Sequence, residues 1–144
     1  MIDRLPTMSK SRDLYKKAKS IIPGGTQLLS KRPELFLPDY WPSYYSRGKG
    51  CQIWDLDDNS YHDMSYMGIG SCPLGYADED VDSAVIDAVQ RGNMTTLNVP
   101  EEVELAELLC DLHPWADMVR YARTGGEAVA VAIRIARAYS GKDI

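Results

Sequence analysis

Thr124-Gly125-Gly126-Glu127-Ala128 stands between two runs of different character. Before it, Met118-Val119-Arg120-Tyr121-Ala122 has the length and apolar content of a short buried strand. After it, Val129 to Tyr139 carries apolar residues at helical spacing. Two glycines therefore fall where a strand hands over to a helix. The first backbone N–H groups of a helix have no internal acceptor, and the macrodipole adds partial positive charge there. Glycine lets a ligand approach the backbone, and Thr124 adds a hydroxyl donor. Such a turn suits a phosphate or another anion. The same residues also read as a tight βα turn in which each glycine relieves an awkward dihedral. Both readings stay open on this stretch alone.

Outward from the turn, the downstream helix places Ala128, Val131, Ala132, Ile135 and Tyr139 on one face, widened by Val129 and Ile133. Arg134 and Arg137 fall on the remaining face and read as solvated charge. Upstream, Asp78 to Arg91 predicts a helix, with Asp78 as cap, Glu79 and Asp80 at the positive end and a stripe of Val81, Ala84, Val85, Ala88 and Val89. A further helix runs from Pro100, a residue suited to the first helical position, to about Leu112, with Leu105, Leu108, Leu109 and Leu112 as its stripe. Ser140-Gly141-Lys142-Asp143-Ile144 reads as a helix end and the first residue of a new strand, so the chain is expected to be the N-terminal part of a longer protein. Helix, helix, strand, helix, strand start is how an α/β layer begins. The glycine pattern is not that of a dinucleotide fingerprint. Gly141-Lys142-Asp143 follows a helix rather than opening one, so it is not a nucleotide phosphate loop.

The first half is more irregular. Ser9 to Ile22 predicts a helix with Leu14, Ala18, Ile21 and Ile22 on its apolar side and lysines around the rest, a surface or partner-docking arm. Pro23-Gly24-Gly25 stops it. Residues 27–50 read as a loop rich in proline and aromatics, either a lid or binding loop or, for most of its length, an arm that packs on a neighbouring subunit. Cys51 to Met64 predicts a β-hairpin: Ile53, Trp54 and Leu56, then the turn Asp57-Asp58-Asn59-Ser60, then Tyr61-His62-Asp63-Met64. Adjacent strand residues face opposite sides, so His62 and Asp63 do not act together. Two histidines and three scattered cysteines offer no metal-ligand spacing. Gly68-Ile69-Gly70-Ser71 reads as a linker.

With 16 basic against 21 acidic residues, the charge of −5 argues against nucleic acid as a partner. No apolar run approaches membrane-spanning length, and Met1 to Pro6 has no signal-peptide character. An odd number of spaced cysteines (Cys51, Cys72, Cys110) suits a reducing cytoplasm.

Four runs taken together resemble the class III aminotransferases: Glu102-Val103-Glu104-Leu105-Ala106-Glu107-Leu108-Leu109, Met118-Val119-Arg120, Thr124-Gly125-Gly126-Glu127-Ala128, and Ala132-Ile133-Arg134-Ile135-Ala136-Arg137-Ala138-Tyr139-Ser140-Gly141-Lys142-Asp143. Ile22-Pro23-Gly24-Gly25, the hairpin region with Trp54-Asp55-Leu56-Asp57-Asp58, and Leu74-Gly75-Tyr76 (Leu-Gly-His in the family) extend the likeness over nearly the whole chain. The pattern is nearest to the glutamate-1-semialdehyde 2,1-aminomutase branch. The resemblance implies an α/β fold of the fold-type-I, aspartate aminotransferase-like class. It also implies pyridoxal 5′-phosphate as cofactor, a homodimer, and amino-group transfer through a Schiff base to a small amino or keto substrate. Residues 1–75 would form an N-terminal arm and hairpin within the small domain, and 76–144 the start of the large cofactor-binding domain. By position, Thr124, Gly125 and Gly126 would hold the cofactor phosphate. The family usually has Ser-Gly-Thr there, so Gly126 loses a hydroxyl and leaves more to backbone N–H groups. No residue of this chain takes a catalytic role, because the Schiff-base lysine of the family lies far downstream, and the 144 residues alone are expected to be inactive. Two departures concern the substrate. Lys31, beside Arg32, stands near the aminomutases' carboxylate-binding arginine and lacks its bidentate fork. Ile69 stands where they have tryptophan. A non-catalytic relative that keeps the fold and dimer contacts is the alternative.

Overall fold

The computed structural model describes residues 7–142, and the strand start expected at Asp143-Ile144 lies outside them. Asp55 organises the first half of the chain. Its carboxylate is 2% exposed and accepts from the backbone N–H of Asp57 (2.8 Å) and Asn59 (2.9 Å), the Asn59 amide (2.8 Å) and the Tyr61 hydroxyl (3.0 Å). These bonds close the turn between two strands, β2 (Gln52–Asp55) and β3 (Ser60–His62), and Asp58 takes its left-handed position (φ 64°). A third strand, β1 (Tyr45–Lys49), pairs antiparallel on the other side of β2, giving the order β1-β2-β3. Ile53 opposes Gly48 on one side and Tyr61 on the other. The β1–β2 register shifts between Tyr45 and Arg47, and the Ser46 hydroxyl lies 3.2 and 2.9 Å from the carbonyls of Trp54 and Asp55 at that irregularity.

The hairpin is thus the second half of a three-stranded meander, and β1 lies in the segment expected to be loop. Tyr45-Ser46-Arg47-Gly48-Lys49 has no apolar alternation because β1 is mostly exposed. What holds it is its ladder, and the Arg47 guanidinium lying over the Trp54 ring (4.0 Å). The rest of that segment contains two short 3₁₀ turns, Leu29–Lys31 and Pro33–Leu35, and a stacked pair, Phe36 and Trp41 (4.2 Å, 16°), that stays largely exposed.

The N-terminal helix α1 (Ser9–Ile21) docks on this hairpin. Its N-cap residue, Met8, has no capping side chain. The acceptor comes instead from the β2–β3 turn: Asp57 accepts from Lys10 N–H and the Ser9 hydroxyl, both at 3.1 Å. Lys10 Nζ donates to Leu56 O (2.9 Å) and the Asn59 amide to Thr7 O (2.8 Å). This is a helix cap supplied in trans by tertiary structure. The buried line is Met8, Ser11, Tyr15 and Ala18, while Leu14 is 40% and Ile21 69% exposed. The expected apolar face is therefore displaced. Tyr15 sets it, since its hydroxyl donates to Glu34 (2.7 Å) and its ring packs against Gly25. We expect Asp57→Ala to release α1 by about 1 kcal/mol, the usual cost of a lost cap. Hydrogen exchange of the α1 amides in the intact protein should speed up about fivefold; unchanged protection would show the contact to be idle.

Past the meander, Tyr76 pairs with Gly50 through two hydrogen bonds of 2.8 Å. Gly75 (φ 94°) makes this possible, because a Cβ there would lie 3.0 Å from Gly50 Cα. Lys49 Nζ reaches Ala77 O (3.0 Å) and Glu79 (2.9 Å) at the start of α2 (Glu79–Arg91), whose first turn is capped by Asp78 accepting from Val81 N–H (3.1 Å). Gly92 ends α2 as expected.

The chain divides into two compact units, and residues 94–142 belong to the second. It holds α3 (Glu101–Leu112) and α4 (Gly125–Ser140). Pro100 is the N-cap of α3 rather than its first residue. Met118 to Ala122 has no regular secondary structure and forms no strand among the described residues. A strand exists only in a ladder, and no described segment pairs with it. What fixes it locally is the Tyr121 hydroxyl, which donates to Glu102 O (2.8 Å) in the first turn of α3. Gly141 (φ 66°) ends α4 with its N–H on Arg137 O (2.9 Å). None of α2, α3 and α4 has a buried residue, so the stripes read from the sequence stand uncovered among the described residues. No helix there is long and apolar enough to cross a membrane.

Candidate functional site

The glycine turn is the first turn of α4. Thr124 is the N-cap, extended at φ −137° and ψ 160°, and its Oγ1 accepts from Glu127 N–H (3.2 Å). Glu127 reaches back to accept from Arg123 N–H (3.0 Å). Threonine at the cap and glutamate three residues on form a capping box, here opened by one residue because the glutamate takes Arg123 N–H rather than that of Thr124. The helical ladder begins with Ala128 N–H on Thr124 O (3.0 Å). With Glu127 N–H taken by Thr124, the N–H groups of Gly125 and Gly126 are the two that the helix leaves without an intrahelical acceptor.

The dihedral explanation of these glycines fails. Neither Gly125 nor Gly126 has a positive φ; both are helical. In a helix each glycine costs roughly 0.8–1 kcal/mol against alanine. Packing does not ask for them either, since a Cβ at Gly125 would meet nothing within 4 Å and one at Gly126 only Thr124 Oγ1 at 4.0 Å. Open space therefore lies over two unpartnered N–H groups at the positive end of a 16-residue helix. Among the described residues nothing blocks an anion such as phosphate from approaching this turn. The Thr124 hydroxyl uses one lone pair for Glu127 and keeps its proton to donate.

Thr124, Gly125 and Gly126 are thus one turn with donors on adjoining atoms. Glu127 is the member the sequence reading passed over, although Thr-x-x-Glu ahead of an apolar run is a capping-box signature. Beside the turn, Arg120, Arg123 and Arg134 line a cleft of about 460 Å³ together with Glu127. Arg134 thereby has a place in a cleft, while Arg137 does not line it.

The remaining candidates lie in the first unit. Lys31 ends a 3₁₀ turn, and Arg32 Nε donates to Leu29 O (3.2 Å). Gly68-Ile69-Gly70 is a built left-handed turn rather than slack linker, with φ of 60°, 59° and 77° closed by Gly70 N–H on Tyr66 O (2.6 Å). A β-branched residue seldom adopts that region. His62 and Asp63 part company: His62 lies near Gln52 (3.5 Å), and Asp63 accepts the Tyr76 hydroxyl. The Asp63 carboxylate pushes Tyr76 up to about 12, helped by burial, and Asp63 is held below its ordinary value by bonds from Ser65 and Tyr76. This pair locks the meander to the Gly75 turn. Among the described residues no three metal-ligating side chains cluster, and all three cysteines are free thiols.

Comparison with known proteins adds five findings. The family described as aminotransferase class-III matches residues 38–143. Glutamate-1-semialdehyde 2,1-aminomutase of Archaeoglobus fulgidus is 38% identical over 136 residues, 94% of this chain and 31% of that protein. The 3-aminobutyryl-CoA aminotransferase of Cloacimonas acidaminovorans is 33% identical over 94% of this chain and 32% of its own length. Among solved structures, an omega-transaminase from Sphaerobacter thermophilus superposes with a TM-score of 0.79 at 33% identity over 92% of this chain, and a transaminase with PLP bound with 0.83 at 28% identity over 95%. They share the fold-type-I architecture, and this chain covers 29% and 31% of them. The chain spans about a third of the relatives it matches.

Proposed function

This chain belongs to the class III aminotransferases, and we propose that it forms the phosphate-holding part of a pyridoxal 5′-phosphate enzyme that moves an amino group between small amino and keto compounds. The observation that carries this reading is the pair of helical glycines at the start of α4, held at a cost to the helix and kept clear of any neighbour. In this proposal Gly125 and Gly126 hold the phosphate through their N–H groups, and Thr124 adds its hydroxyl. Glu127 does not touch the phosphate; it ties Arg123 N–H and so fixes the angle at which the chain enters the turn. When bound, pyridoxal phosphate supplies the electron sink for breaking a bond beside an amine, and the protein supplies orientation and electrostatics. The relatives include an aminomutase and transaminases, so the shared reading is amino-group transfer, with the aminomutase-like pattern as the finer proposal.

In the same proposal residues 76–144 begin the large cofactor-binding domain, 1–75 belong to the small domain, and the intact protein is a cytoplasmic homodimer. The exposed stack of Phe36 and Trp41 and the uncovered stripes of α2 to α4 support burial against further protein. The test is to titrate pyridoxal phosphate into the intact protein, following its absorbance, and to sediment the same sample at micromolar concentration. Saturable binding by a dimer is expected, with no turnover from the 144 residues alone. Absence of cofactor binding sinks the enzyme reading, and a monomer sinks the dimer.

A further inference from the structure

The bonds that shape the entry to α4 all lie within residues 123–128, so the local chain sets them rather than more distant packing. Glu127 takes part in two of them from opposite ends. Its N–H donates to Thr124 Oγ1 (3.2 Å), and its Oε2 accepts from Arg123 N–H (3.0 Å). In a capping box the glutamate ordinarily accepts from the N-cap N–H. Here the carboxylate reaches one residue further back and leaves the Thr124 N–H uncommitted to it. Thr124 is thereby held from both sides, its side chain by Glu127 N–H and the peptide before it by the Glu127 carboxylate. Its extended backbone (φ −137°, ψ 160°) is what turns the chain into the helix. Glutamine carries an oxygen at the same reach and accepts the same bond. The geometry therefore accounts for the length of the side chain at 127 and not for its charge. That charge lies in the first turn of α4, where the macrodipole favours it. The same positive end is what the proposed site offers to a phosphate, so carboxylate and phosphate draw on one field and repel each other.

We propose that Glu127 is a positioning residue with two opposed actions on the phosphate turn. Its oxygen fixes the Arg123–Thr124 peptide and so aims the donors of the turn. Its charge stabilises the helix start in the cofactor-free protein and weakens the hold on the phosphate once that is bound. The inference rests on the proposed phosphate site and adds what sets its strength: an affinity kept below what the backbone donors give without a neighbouring carboxylate. Repulsion between exposed charges falls with salt, whereas the hydrogen bond to Arg123 N–H does not depend on it, so ionic strength separates the two actions.

The experiment compares Glu127→Gln, which keeps the acceptor without the charge, with Glu127→Asp, which keeps the charge without the reach. Both are made in the intact protein, and pyridoxal phosphate is titrated by absorbance at low and at high salt. Pyridoxal, which lacks the phosphate, is the control. At low salt Glu127→Gln should bind pyridoxal phosphate at least about threefold more tightly than the parent, and at high salt the two should agree. Glu127→Asp should bind it at least about fivefold more weakly at both. Pyridoxal affinity should be the same in all three proteins. In the cofactor-free protein, exchange of the Arg123 amide should keep the parent rate in Glu127→Gln and rise at least about fivefold in Glu127→Asp. The proposal is overturned if Glu127→Gln binds no more tightly than the parent at low salt, if Glu127→Asp binds and exchanges as the parent does, or if pyridoxal affinity follows the same order. A parent that binds no pyridoxal phosphate sinks the enzyme reading and this inference together; parent binding with parent-like variants sinks this inference alone.

Discussion

Gly125→Val and Gly126→Asp in the intact protein are each expected to lower pyridoxal phosphate affinity at least a hundredfold, with the fold retained. In the proposed site the two N–H groups they guard would donate to the phosphate, and charge-assisted hydrogen bonds contribute roughly 1.5–3 kcal/mol each. Losing both is a loss of about 3 kcal/mol or more, which is two decades in affinity. A Cβ at Gly125 meets nothing within 4 Å in the described structure, so valine there is expected to crowd the incoming phosphate rather than the fold. As valine is a better helix former than glycine, α4 should hold or gain stability. Aspartate at Gly126 sets like charge beside the phosphate. Thr124→Ala acts differently. It removes one hydroxyl donor and also the cap on Glu127 N–H, so it should cost about tenfold in cofactor affinity and about 1 kcal/mol of helix stability. Absorbance titration gives the affinities and circular dichroism the helix content. Parent-like binding by both glycine variants, with normal helix content, would reduce the site to a turn.

How far this site was legible depended on which physics each residue reports. Thr124, Gly125 and Gly126 were readable because a helix start leaves donors whatever surrounds it. The choice between ligand and dihedral was not, because glycine is written identically for both; the helical φ of Gly125 and Gly126 removes the dihedral reading and leaves the ligand reading as the proposal. The helices α2 and α3 came through within a residue or two, since Asp78 and Gly92 act locally, while α4 ends as read but starts at Gly125, four residues before the run read as helical. β1 was missed because Tyr45 to Lys49 is an exposed ribbon with no apolar period to see. Met118 to Ala122 erred in the opposite direction: its composition suits a strand, but the ladder that would make it one is absent from the described residues. That Arg120 and Arg134 line one hollow was invisible, because they stand 14 positions apart in the sequence.

Asp55→Ala should be the most damaging single change in the first half of the chain, costing about 3 kcal/mol. The carboxylate is buried, and four donors converge on it from Asp57, Asn59 and Tyr61. Removing it leaves those donors without an acceptor, each worth roughly 1–3 kcal/mol if water cannot reach it. The same turn carries Asp57, the cap of α1, so the helix should loosen with the hairpin. Asp55→Asn should rescue little, because one amide oxygen cannot serve four donors and its NH₂ meets donors itself. The pH dependence has a definite sign. Burial by itself would raise the Asp55 carboxyl, but the bonds from Asn59, Tyr61 and Asp57 outweigh it and hold the group below its ordinary value. A lowered folded pKa means that the contribution is complete above the ordinary carboxylate range and is lost as pH falls through the folded value. Tyr61 sets the other limit: burial first, then the Asp55 bond, push its hydroxyl up from 10 to about 12. Its contribution is complete below pH 10 and is lost as pH rises through about 12. Amide exchange in β2, β3 and α1 of the intact protein should therefore be slow and flat between these limits and accelerate outside them. In Asp55→Ala it should be more than a hundredfold faster at neutral pH. If that variant exchanges like the parent, Asp55 is not what holds the turn, and the stability must come from the ladder alone.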